Sequence, residues 1–147
     1  MLQKMFYQKQ IQKIFRNAAD RSGYIEWSQV RPLAKAISTF LLTAEQHLKA
    51  ERFETTFWML TAALEELTVG INSVDDSSGY LGDNIYYALD LLEQLFSAPS
   101  IEKYRITFFN YCLNAFEDDL FRGWDWHWHM LNHAVTMAKT TTEGEMT

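Results

Sequence analysis

Apolar residues recur at three- and four-residue spacing through nearly the whole chain, and that period sets the fold class before any single residue is weighed. In residues 2–18, Leu2, Met5, Phe6, Ile11, Ile14, Phe15 and Ala18 follow it, with Lys and Gln between them. Asp20-Arg21-Ser22-Gly23 ends that helix, and Ser28 is placed to cap a second one whose first turns contain Pro32. Val30, Leu33, Ala34, Ile37, Phe40, Leu41, Ala44 and Leu48 carry the second stripe to about Ala50, and Phe53, Phe57, Leu60, Leu64, Leu67 and Ile71 carry the third. Only a short turn separates these two, so they must lie antiparallel.

An acidic, glycine-punctuated loop follows, Val74-Asp75-Asp76-Ser77-Ser78-Gly79-Tyr80-Leu81-Gly82-Asp83. Asp83 can cap a fourth helix through Ile85, Ala88, Leu89, Leu92, Leu95 and Phe96, and Ser97 or Ser100 can cap a fifth that runs to about Phe121. Gly123 breaks the chain before a sixth helix, from Trp124 to about Lys139. No stretch alternates with period two for long enough to form a strand. The class is therefore all-α, about six helices in irregular antiparallel hairpins. This bundle is distantly similar to tetratricopeptide repeats but lacks their period of about 34 residues. Residues 1–139 read as a single domain and 140–147 as a polar tail expected to fray.

With 147 residues, five Trp, seven Tyr and ten Phe, the chain has enough bulk to build a core unaided. The lone Cys112 excludes an internal disulfide and any multi-cysteine zinc site, which points to a reducing, cytoplasmic setting. No apolar run approaches the roughly 20 residues needed to cross a bilayer, so no membrane partner is expected. The net charge of −6 argues against non-specific affinity for nucleic acid, but the charge is uneven. Residues 1–35 carry seven Lys or Arg against Asp20 and Glu26, while the rest carries six against seventeen acids. Lys4, Lys9, Lys13 and Arg16 thus make a basic first helix that can meet its own acidic body, an acidic partner or nucleic acid.

Two loops have a superficial likeness to the calcium-binding EF-hand. With Gly23 at the sixth position, Asp20 and Ser22 fit the third and fifth, but the first is Ala18 and the twelfth Gln29. With Gly79 there, the first is Val74 and the twelfth Ile85. Neither supplies the required oxygens. An irregular cation site on Asp75, Asp76 and Asp83 stays open, beside the simpler reading in which Asp76, Ser77 and Asp83 cap a helix and Gly79 and Gly82 shape the loop.

On the sixth helix, Asp125, His129 and His133 are spaced by four, so they share one face and can ligate a divalent metal. The bland alternative puts Trp124, Trp128, Leu131 and Val135 in a buried stripe with the histidines at its edge. Trp124, Trp126 and Trp128 cannot all face one side, because a step of two residues turns about 200°. An indole off the core either packs under a neighbouring segment or belongs to a contact surface, where Trp is enriched. Cys112 reads as a packing cysteine, and no phosphate loop or nucleophile elbow is present. Nothing in the chain calls for a cofactor. The expected function is a helical interaction or scaffolding module whose partner is another protein or a second copy of itself. The alternative is a metal-dependent protein or enzyme on the Asp125/His129/His133 face.

From Ser22-Gly23-Tyr24-Ile25-Glu26-Trp27, through the long helix pair, to the loop ending at Asp83, the chain resembles the helical region that follows the zinc finger in bacterial SWIM zinc-finger proteins. The resemblance covers about residues 20–97. The finger's own C-x-C and C-x-H ligands are missing, since Cys112 stands alone, so its recognition role does not carry over. What the resemblance implies is a stand-alone relative of an accessory helical region.

Overall fold

The structure, a computed structural model, describes residues 2–116. Five helices pack together: α1 (Leu2–Ala18), α2 (Trp27–Lys49), α3 (Phe53–Gly70), α4 (Tyr80–Ser97) and α5 (Glu102–Phe116), with 3₁₀ turns at Ile71–Ser73 and Pro99–Ile101. No strand occurs among the described residues, and none of their helices is long and apolar enough to cross a membrane. The sixth helix expected from Trp124 and the polar tail lie outside them.

α3 is the axis of the molecule. Its expected stripe of Phe53, Phe57, Leu60, Leu64 and Leu67 is buried, and so are Thr56, Thr61 and Thr68 on its other sides. A helix covered nearly all round needs its hydroxyls satisfied internally. Thr56, Thr61 and Thr68 each donate to the carbonyl four residues back, at 2.8, 3.0 and 2.9 Å.

Neighbouring helices approach α3 from different sides. Gln3 of α1 donates to Thr55, Gln12 to Glu66, and Phe15 lies over Gly70, so α1 runs parallel to α3. Phe53 meets Tyr104, Phe57 stacks on Phe108 at 4.0 Å and Glu65 meets Tyr111, so α5 also runs parallel to it. α2 and α4, joined to α3 by short connections, return the other way. Phe57 also meets Phe96 of α4, edge on at 6.4 Å. Thr55 and Phe57 point about 200° apart on a helix. α2 packs against both α1 and α4, which make no comparable contact with each other. The buried Asn84 ties α4 to α2, donating to the Ala34 carbonyl at 3.2 Å and accepting from Ser38 at 2.9 Å.

The α2–α3 turn closes without glycine. The Arg52 N–H reaches the His47 carbonyl at 2.9 Å and the Glu51 N–H reaches Leu48 at 3.0 Å, with Glu51 at φ 60. That is a Schellman closure with glutamate in the left-handed position.

Three expected caps fall elsewhere. α2 begins at Trp27, one residue before Ser28, because Ile25 is already fixed by backbone bonds to the 73–75 segment. α4 begins at Tyr80, so Asp83 sits inside its first turn and Asp76 does the capping. Pro99 opens a 3₁₀ turn before α5, and the Ser100 hydroxyl points to Glu51 at 3.5 Å.

α1 also departs from its expected stripe. Only Ile11 is fully buried, Ile14, Phe15 and Ala18 are partly buried, and Leu2, Met5 and Phe6 are exposed. Its packing face instead runs through Lys4, Tyr7, Gln8, Ile11 and Phe15.

Candidate functional site

The two loops flagged in the sequence meet at one end of the bundle. Ile25 and Val74 form a single parallel bridge, in which the Ile25 N–H donates to the Ser73 carbonyl at 2.9 Å and the Asp75 N–H to the Ile25 carbonyl at 3.0 Å. The Trp27 indole N–H adds a bond to the Ser78 hydroxyl at 2.9 Å. This clasp joins the α1–α2 loop to the α3–α4 loop.

Within the clasp, each aspartate serves its own loop. Asp20 Oδ1 accepts from the Ser22 N–H and hydroxyl at 2.8 and 2.6 Å and from the Tyr24 N–H at 3.1 Å. The Ser22 hydroxyl leads the interactions that hold the Asp20 carboxyl below the usual carboxylate range. Asp75 Oδ1 accepts from the Ser77 hydroxyl at 2.7 Å and its N–H at 3.3 Å. Asp76 reaches past Gly79, at φ 76, to take the Leu81 and Gly82 N–H groups at 3.0 and 3.1 Å. With its carboxylate there, two orphan donors of the first turn of α4 are satisfied.

The cation reading of Asp75, Asp76 and Asp83 is thereby corrected. Among the described residues no group of three or more His, Cys, Asp or Glu could hold a metal ion. Asp75 and Asp76 face their own backbone and Asp83 is exposed on α4. The clasp is a structural device.

A second polar cluster lies where α1, α3 and α5 converge. Glu65 accepts from Lys4 at 2.7 Å, from Gln8 at 3.0 Å and from the Tyr111 hydroxyl at 2.6 Å, with its side chain 11% exposed. The Lys4 ammonium also sits 5.0 Å from the Tyr111 ring centroid. Burial, and then the bond to Glu65, push the Tyr111 hydroxyl far above its ordinary value. Burial does the same to the Cys112 thiol, which leaves it an unreactive packing group, as the sequence suggests. Nothing here is poised for acid–base work. The cluster is a three-helix tie.

Beside it, α1, the end of α3 and the clasp enclose an open groove of about 390 Å³, lined by Gln12, Phe15, Arg16, Ile25, Glu66 and Val69. Burial raises the Glu66 carboxyl, opposed by the hydrogen bond from Gln12. The Tyr87 hydroxyl of α4 is pushed up to about 12 by burial and by its bond to Glu45 at 2.8 Å.

The outer faces differ in kind. On α1, Leu2, Met5 and Phe6 are 84, 50 and 58% exposed, and Lys9, Lys13 and Arg16 continue the same outer stripe. On α4, Tyr80 and Tyr86 are 40 and 51% exposed, with Asp83, Asp90 and Glu93 exposed on the same side. Lys4 pairs with Glu65, while Lys9, Lys13 and Arg16 meet no acidic partner among the described residues. Sequence reasoning missed this stripe by assigning Leu2, Met5 and Phe6 to the core. The signal lay in the polar residues of the opposite arc: Gln3 reaches Thr55, Lys4 and Gln8 reach Glu65, and Gln12 reaches Glu66 across the seam.

Trp124, Trp126 and Trp128, and the metal candidates Asp125, His129 and His133, lie outside the described residues. What is described defines an all-helical domain with two chemically distinct exposed faces. No protein-family model, curated protein or solved structure matches the chain.

Proposed function

We propose that the chain is a small helical interaction module that binds a protein partner through the outer face of α1. The observation that carries this reading is the contiguous exposure of Leu2, Met5 and Phe6 on one side of a helix whose other side is packed. Apolar side chains set together at helical spacing and rimmed by charge are the usual composition of a contact surface. Trp124, Trp126 and Trp128 are the second part of the proposal, as aromatic anchors for the same contact. The resemblance to an accessory helical region is in keeping with it.

Photo-crosslinking from position 6 tests the reading. A discrete covalent adduct is expected, weakened by Leu2→Ala/Met5→Ala and by Trp126→Ala. No adduct from positions 2, 5 or 6 at any concentration would remove α1 as a binding face.

A further inference from the structure

We infer that the partner of α1 is a second copy of the chain, whose α4 outer face receives the α1 stripe in a head-to-tail contact. This rests on the interaction-module reading above and names its partner.

Charge and spacing both carry it. α1 presents Lys9, Lys13 and Arg16, while α4 presents Asp83 and Asp90 and contains no Lys or Arg. Lys9 and Arg16 are seven residues apart, and so are Asp83 and Asp90. Each pair therefore spans about 10.5 Å on one helix face. One parallel register satisfies the stripe: Lys9 against Asp83, Arg16 against Asp90, and the exposed Phe6 against the exposed Tyr80.

Geometry decides the form of assembly. α2 packs against both α1 and α4 and holds them apart, so a copy seated on the outer face of α1 leaves α4 of the same molecule uncovered. A contact between unlike faces does not close on itself as a two-fold dimer does, and it leaves a free α1 at one end and a free α4 at the other. Copies add in a row, each turned end over end relative to the last. One helix face against another, about 25 Å long, covers on the order of 1,000 Å² in total, the low end for a specific interface. The association is accordingly weak, concentration-dependent and sensitive to salt.

Sedimentation velocity of the full chain at about 50 and about 500 mM sodium chloride tests this. The wild type is expected to form species larger than a monomer at low salt and to lose them at high salt. K9E/R16E and D83K/D90K should each weaken association about tenfold or more, since each sets like charges face to face. An equimolar mixture of the two should restore it, because every α1 in the mixture then finds an α4 of opposite sign. Restoration also shows that both variants are folded. A wild type that stays monomeric at about 0.5 mM and low salt would overturn the inference, as would association that survives both reversals. If the position-6 crosslink then joins a different protein, the interaction-module reading stands without this partner. If it joins residues 117–147 of the same molecule, the acids of that segment are the occupant and the inference fails.

Discussion

Single residues in this protein are set by small local conflicts, and His47 is the clearest. It lies in the last turn of α2 beside Arg52, whose Nε–H donates to His47 Nδ1 at 2.7 Å, so the ring is a neutral acceptor. Burial, and then the Arg52 charge, hold it below its ordinary value of 6.5. The unfolded chain takes up this proton at higher pH than the folded one does. The associated stability is thus complete above pH 6.5 and is lost as pH falls through the folded value. The His47 ring resonances are expected to titrate with a midpoint below 6.5; a midpoint at or above it would show that the Arg52 contact does not persist in solution. Four residues along, Glu51 holds a left-handed backbone that glycine adopts more readily. With no glycine to mark it, the closure was legible only as a short turn.

At the scale of elements, the helices of the interior were the readable part. The stripes of α2 and α4 bury as their three- and four-residue spacing requires, and α3 starts where Phe53 does. α1 was misread because period alone cannot say which of two adjoining arcs packs. Its seam with α3 is built from Lys4, Gln8 and Gln12, polar residues whose partners are more than fifty positions away. Of the caps offered for α4, Asp76 does act, from outside the helix and past a left-handed glycine, whereas Asp83 falls inside the first turn. Gly70 marks the same seam. A β-carbon there would lie 2.6 Å from the Phe15 ring. Gly70→Ala is therefore expected to destabilise the protein by about 1–3 kcal/mol despite its better helix propensity. Urea denaturation reads this directly, and unchanged or increased stability would mean that Phe15 swings freely into the groove.

Across the whole molecule, Glu65 is the point where three helices are joined. Lys4 and Gln8 come from α1, Tyr111 from α5, and all converge on one carboxylate of α3. Glu65→Ala leaves Lys4 without its partner in a largely covered site, a loss expected to cost about 2–4 kcal/mol of unfolding free energy. A cost under about 0.5 kcal/mol, the level of an exposed pair, would show that water already screens the cluster. The fold class was open in the sequence because period speaks for every residue. The faces that matter for binding were not, because exposure is decided by which helices α3 collects around itself.

The parallel course of α1, α3 and α5 has a mechanical consequence. Gln3 lies beside Thr55 near the start of α3, whereas α5 passes Glu65 on its way to Phe116, so the two ends of the described chain leave from opposite ends of the bundle. A pull between them acts along the helix axes. It loads the α1–α3 and α3–α5 seams in shear, where side-chain contacts along a seam share the tension. Peeling the same helices off sideways would instead break those contacts one turn at a time.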